Sequence, residues 1–176
     1  MSMFDPADIA EAERLLARLR ATRWTICTAE SCTGGLIAGL LTEVPGASDV
    51  VDRGFVTYSN GAKTGLLGVP GALIEGHGAV SAETASAMAS GALLHSPCDL
   101  AVAVTGVAGP GGGSPDKPVG LVHLAAQLRG RTPVFHVLRL GDIGRSMVRL
   151  ETVRAALRLC HQALDSDPGS STDGVP

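Results

Sequence analysis

Leu100-Ala101-Val102-Ala103-Val104-Thr105-Gly106-Val107-Ala108-Gly109-Pro110-Gly111-Gly112-Gly113-Ser114 is the stretch that decides the fold. Its first five residues are wholly apolar, the pattern of a strand in a parallel sheet covered on both faces. They run straight into Thr105 and a series of glycines, where the backbone can take positive φ or come close to a ligand. Open α/β sheets bind ligands beyond the carboxyl ends of their strands. One segment therefore predicts both a layered α/β domain and the edge at which a ligand sits.

Outward from it, the alternation of strand, turn and helix recurs. Trp24–Ala29 reads as a short strand, Glu30-Ser31-Cys32-Thr33-Gly34-Gly35 as a turn, and Leu36–Val44 as a buried helix. Val50–Tyr58 carries a second strand pattern, Asn60–Leu67 a short helix, and Val69–Gly78, rich in Pro and Gly, reads as a loop. Ser81 opens a helix over Ala82–His95, and Val119–Leu128 with Pro133–Leu140 form a strand pair around Arg129-Gly130-Arg131. At the start, Asp5-Pro6 supplies an N-cap carboxylate and a proline at the first helical position. Behind them Ile9, Ala12, Leu15, Leu16 and Leu19 recur at helical spacing. Arg145–Leu164 is the last helix. Strands alternating with helices predict an α/β layered domain with a largely parallel or mixed sheet. It forms a single domain over residues 1–165, and the polar, Pro/Gly/Ser-rich residues 166–176 are expected to be a disordered tail.

Composition narrows the function. Glycine takes 23 of 176 residues, close to twice the average of ~7%. One Trp, one Tyr and three Phe are the only aromatics, so the core is built from Ala, Val, Leu and Ile. A hydrophobic share of 45% excludes a disordered chain. The net charge of −3 and the scarcity of stacking rings exclude a nucleic-acid groove. Four scattered cysteines form no metal-ligand spacing, and five histidines show no H-x-x-x-H or H-E-x-x-H pattern, so no metal is expected. No apolar run approaches the roughly 18 residues of a membrane span, and Met1-Ser2-Met3-Phe4-Asp5-Pro6 has no signal-peptide pattern. A reduced, cytoplasmic protein is the expectation.

Two turns at predicted strand ends offer chemistry. Ser31, Thr33, Gly34 and Gly35 present hydroxyls and backbone N–H groups at a helix N-terminus, suited to an anion such as phosphate. Thr105, Gly106 and Gly109 would approach a ligand from the glycine-rich loop. Either could also be an ordinary capped turn; two on one sheet edge favour a site. Walker A fails because Ala62 precedes Lys63-Thr64, and the dinucleotide fingerprint fails because Ser114 stands at its third glycine. For nucleophilic chemistry, Gly46-Ala47-Ser48-Asp49-Val50 is half of a G-x-S-x-G elbow. Tyr58, the only tyrosine, stands five residues before Lys63, one of two lysines with Lys117. A desolvated lysine can activate a serine, with a phenol relaying the proton; the bland alternative is a surface Lys beside a half-buried Tyr. Arg145 and Arg149 share a helix face, as solvated charges or as an anion clamp.

With these residues in view, the chain resembles the CinA C-terminal domain family, the nicotinamide-nucleotide amidohydrolases. The resemblance rests on Glu30-Ser31-Cys32-Thr33-Gly34-Gly35 and on Val56-Thr57-Tyr58-Ser59-Asn60-Gly61-Ala62-Lys63 with Leu66-Leu67-Gly68-Val69. Further matches are Gly78-Ala79-Val80-Ser81, Thr105-Gly106-Val107-Ala108-Gly109-Pro110-Gly111-Gly112 and Lys117-Pro118-Val119-Gly120. It implies hydrolysis of nicotinamide mononucleotide to nicotinic acid mononucleotide and ammonia in pyridine-nucleotide (NAD) recycling. It also implies an α/β/α sandwich, no cofactor and a homodimer, with no nucleic-acid or membrane partner. The family usually reads Gly-Asp-Arg before its last helix; here two residues intervene, in Gly141-Asp142-Ile143-Gly144-Arg145. Combined with the residues, the expectation is that Ser48 attacks the carboxamide, with Lys63 as general base and Tyr58 as relay or oxyanion donor. Ser31, Thr33, Gly34, Gly35 and Arg145 would hold the phosphate, while Gly46, Asn60, Thr105, Gly106 and Gly109 would line the remainder. Ser31 is the alternative nucleophile, ranked second because it sits better for anion binding. A catalytically silent nucleotide-binding regulator is the competing class, and a hydrolase of another amide is a third.

Overall fold

A computed structural model of the chain describes residues 2–166, so the expectation for the tail lies outside the described residues apart from Ser166. Its elements are α1 (Pro6–Thr22), β1 (Ile26–Glu30), α2 (Leu36–Glu43), a 3₁₀ turn (Ala47–Asp49), β2 (Val51–Val56), α3 (Asn60–Leu67), α4 (Gly71–His77) and α5 (Ala82–Leu94). They continue with β3 (Leu100–Gly106), β4 (Leu121–Leu128), β5 (Val134–Arg139) and α6 (Arg145–Asp165). The strands form one sheet in the order β2-β1-β3-β4-β5. β1 pairs parallel with both β2 and β3, and β4 pairs antiparallel with β3 and β5. Four of the five strands thus point the same way, in a mixed sheet.

Two cores separate the layers. On one face Leu15, Leu16 and Leu19 of α1, Leu40 and Leu41 of α2 and Leu157 of α6 meet Ile26, Val102 and Leu124 of the sheet. On the other, Ala85, Met88, Ala89 and Ala92 of α5 meet Ala29, Ala101, Ala103 and Ala125. Small residues on both sides of that second layer let α5 lie close to the strands, which is how an aromatic-poor chain can pack this face closely. Gly91 continues the same logic: a methyl there would run into the Leu67 carbonyl of α3. Replacing Gly91 with Ala is expected to cost about 3 kcal/mol through overpacking, a fall of about 10 °C in Tm for a domain of this size, read by thermal denaturation.

Caps fix the helix starts, at Asp5 and Ser81 as the sequence leads one to expect and at Ser59 besides. The Asp5 carboxylate accepts from Ala7 N at 2.8 Å, Ser59 Oγ from Ala62 N at 3.0 Å and Ser81 Oγ from Thr84 N at 3.1 Å. Residues 69–78, expected as a loop, instead contain the helix α4. Pro70 stands at its N-cap and Ile74 is its one buried residue; a single buried position in seven leaves no periodicity to read. Among the described residues no helix is long and apolar enough to cross a membrane.

This topology creates a crevice. The chain leaves β1 for β2 on one side, then returns to β3 on the other. The carboxyl ends of β1 and β3 therefore lie at a switch point, the place where open α/β sheets bind ligands.

Candidate active site

Ser31 follows β1 directly, Thr57 and Tyr58 follow β2, and Thr105 and Gly106 end β3. These ends surround a cleft of about 200 Å³, lined among others by Ser31, Cys32, Tyr58, Asn60, Lys63 and Arg145. Lys63 sits on α3, whose Ser59 cap aims the first turn back at the sheet edge. Its side chain is 1% exposed. The Lys63 amine donates to the Thr57 carbonyl at 2.8 Å and to Ser31 Oγ at 3.1 Å. Among the described residues no carboxylate pairs with this amine, and burial pushes its pKa below the ordinary lysine value. A deprotonated Lys63 keeps N–H bonds for Thr57 while its lone pair accepts the Ser31 hydroxyl proton. This is the geometry of a serine activated by a buried amine.

Ser48, favoured from sequence as the nucleophile, is not at this site. It lies in the 3₁₀ turn before β2, exposed to solvent, whereas Lys63 and Tyr58 lie beyond the carboxyl end. Six residues of strand at ~3.3 Å each put roughly 20 Å between the two edges, so Lys63 cannot serve Ser48. Gly46 shares that far edge, where its carbonyl accepts from Arg20 at 2.9 Å. The half-elbow spacing misled because it describes a local turn and carries no information about which sheet edge the turn occupies.

The anion site expected at Ser31, Thr33, Gly34 and Gly35 also needs correction, because the protein fills it with its own carboxylate. Glu30, fully buried, turns its side chain under the start of α2. Its Oε1 accepts from Thr28 Oγ1 at 3.0 Å and Ala38 N at 2.9 Å. Its Oε2 accepts from Thr33 Oγ1 at 2.7 Å, Gly35 N at 2.9 Å and Ile37 N at 3.1 Å. The donors meant for phosphate are thus taken. Gly34 instead faces Arg149, which donates to the Thr33 carbonyl at 2.7 Å. Glu30 was not among the sequence candidates, and Arg149, read there as a solvated charge or an anion clamp, instead secures the turn through a backbone carbonyl. A signal existed for Glu30: Thr28 and Glu30 stand two apart, on one sheet face, just before a glycine-started helix with no side-chain cap of its own.

Arg145 reaches the cleft despite the two intervening residues, because α6 starts at that position. It donates to the Gly109 carbonyl at 2.8 Å and to the Tyr58 hydroxyl at 2.7 Å. Tyr58 is 60% exposed, so this cation and phenol stand at the mouth with exposed Asn60. Thr105 Oγ1 donates to the Ala79 carbonyl at 2.7 Å, fixing one wall of the cleft. Gly109 serves through its carbonyl. Cys32 lines the cleft beside Ser31, but burial pushes its thiol up to about 11. It is protonated near neutrality and offers no competing thiolate.

Comparison with known proteins matches this architecture. Residues 9–164 match the model of the CinA C-terminal domain. A CinA-like protein of Mycolicibacterium vanbaalenii is 50% identical over 157 residues, covering 89% of this chain and 37% of that protein. The chain spans about a third of the length of the curated relatives it matches. The crystal structure of the competence/damage inducible protein CihA from Agrobacterium tumefaciens superposes with a TM-score of 0.91 at 52% identity, covering 93% of this chain and 99% of that one. A competence-damaged protein (CinA) superfamily protein from Escherichia coli superposes at 0.84 with 32% identity, covering 92% and 94%. With nearly all of its described elements inside the matched region, the chain belongs to the CinA C-terminal domain family.

Proposed function

We propose that this chain is an amidohydrolase that converts nicotinamide mononucleotide to nicotinic acid mononucleotide and ammonia. The observation that carries this reading is the buried Lys63 amine, without a carboxylate partner among the described residues and 3.1 Å from Ser31 Oγ, opening onto a cleft with a cation at its mouth. Ser31 Oγ attacks the carboxamide carbon while its proton passes to Lys63. The tetrahedral intermediate collapses, and protonated Lys63 or the Tyr58 hydroxyl beside the cleft returns a proton to the leaving ammonia. Water, deprotonated by the same amine, then hydrolyses the acyl-enzyme and releases the acid. With the α2 N-terminus filled by Glu30, the substrate's phosphate falls to Arg145 and Asn60 at the mouth.

The family resemblance supports the substrate, and the site supports the reaction class: Ser31 and Lys63 make a hydrolytic pair, and Arg145 supplies one charge for one anionic group. The test is ammonia release from nicotinamide mononucleotide, free nicotinamide and glutamine. Turnover of the nucleotide far above the other two is expected; activity confined to either of the others would overturn the substrate assignment. Arg145→Ala is expected to raise KM for the nucleotide roughly 10–100-fold, the value of a lost charge-assisted hydrogen bond, as steady-state kinetics would show.

A further inference from the structure

Glu30 is the most heavily bonded side chain near the cleft and does not line it. Both carboxylate oxygens are saturated, by two hydroxyls and three backbone N–H groups spread over residues 28–38. An ordinary N-cap satisfies one such donor. Glu30 satisfies three, at a helix whose own N-cap, Gly35, has no side chain to offer. A carboxylate at this position also complements the positive end of the helix. In the intervening turn, Gly34 N donates to the Ser31 carbonyl at 3.0 Å, so the loop between strand and helix is fastened at both ends. One donor stays out of this network. The N–H of Cys32, the residue directly after Ser31, donates to no backbone oxygen among the described residues and meets only the sulfur of its own thiol.

We infer that the buried Glu30 carboxylate is the positioning group of the nucleophile's turn: it holds Ser31 within reach of Lys63 and leaves the Cys32 N–H, held only by the weakly accepting sulfur of its own thiol, to serve as an oxyanion donor. A backbone N–H following the nucleophile is the usual oxyanion donor when a serine stands between strand and helix. Such a donor works only when it is fixed before the charge develops. Glu30 touches no substrate atom; it acts through Ser31 and Cys32. The charge is essential to the arrangement. A glutamine of the same shape can accept at one oxygen only, and its NH₂ would face either the Ala38 N–H or those of Gly35 and Ile37, all now bonded to carboxylate.

The inference rests on Ser31 being the nucleophile, and its test separates it from the choice of substrate. A fluorophosphonate probe reports Ser31 directly: Oγ bonds to phosphorus, fluoride leaves, and the hydroxyl proton passes to Lys63. Folded Glu30→Gln is expected to label roughly 100-fold more slowly than wild type, the scale of a misplaced reacting group. On nicotinamide mononucleotide, its kcat is expected to fall by a similar factor with KM unchanged. Circular dichroism establishes that the variant compared is folded. Should Glu30→Gln not fold, Thr33→Val, which removes the shortest of the five bonds, carries the same comparison and is expected to slow labelling, with Thr33→Ser restoring it. Labelling of the folded variants at the wild-type rate would overturn the inference, as would a wild type that is not labelled at Ser31, or a loss confined to KM. A labelled wild type that does not deamidate the nucleotide would overturn the proposed substrate and leave the labelling comparison to decide the role of Glu30.

Discussion

Ser31→Ala is expected to lower nicotinamide mononucleotide deamidation by about 10³–10⁶-fold, the range seen when a catalytic serine is removed from hydrolases with an activating base. Ser48→Ala is expected to leave the rate unchanged. The contrast follows from placement: Ser31 Oγ lies 3.1 Å from the Lys63 amine, while Ser48 is exposed in the turn before β2. Removing the Ser31 hydroxyl leaves Lys63 bonded to the Thr57 carbonyl, so the fold survives and the loss reports chemistry. Ammonia release by the two variants beside wild type measures it. A large loss in Ser48→Ala with Ser31→Ala unaffected would reverse the assignment.

The second large effect belongs to Lys63. Lys63→Met is expected to remove turnover to a similar extent, because the chain offers no other base within hydrogen-bond reach of Ser31 among the described residues. In wild type, kcat/KM is expected to rise with pH through the Lys63 pKa of the free enzyme, since only the neutral amine can accept the serine proton. Burial lowers that pKa from 10.5, so the rise falls on the acid side of the ordinary lysine range, and Lys63→Met has no such limb.

The same shift has a stability consequence. A folded-state pKa below the unfolded value means that the unfolded chain binds more protons between the two. Stability therefore rises with pH across that window, and is lost as pH falls through the folded pKa. Melting curves over alkaline pH should show wild type gaining on Lys63→Met, with no change in the difference below the folded-state pKa. A difference independent of pH would mean that Lys63 titrates as an exposed amine does.

Much of this was legible from residue order. The apolar run of β3 announced a covered sheet, and Asp5 and Ser81 announced helix starts that the structure repeats. Lys63 and Tyr58 stood out because each is rare in the chain, and the structure places both on the cleft. What stayed hidden depends on three-dimensional placement. Ser48 and Ser31 both follow plausible turns, and only the strand direction shows that one turn is at the amino edge and the other at the carboxyl edge. Glycines and hydroxyls after β1 look like a phosphate cradle until Glu30 is seen to fold back into it, a contact that pairs residues up to eight apart. The α4 helix escaped because one buried residue, Ile74, makes no period. The two residues before Arg145 looked disruptive, yet they are absorbed ahead of the helix, and the guanidinium still meets Tyr58.

The central claim is that Ser31 itself carries the acyl group during turnover. Acid-quenching the protein while it consumes nicotinamide mononucleotide, then mapping its peptides by mass, tests this directly. An adduct on the peptide containing Ser31, with the mass of the substrate less ammonia and absent from Ser31→Ala, is the predicted result. An adduct on Ser48, or undiminished turnover by Ser31→Ala, would contradict it.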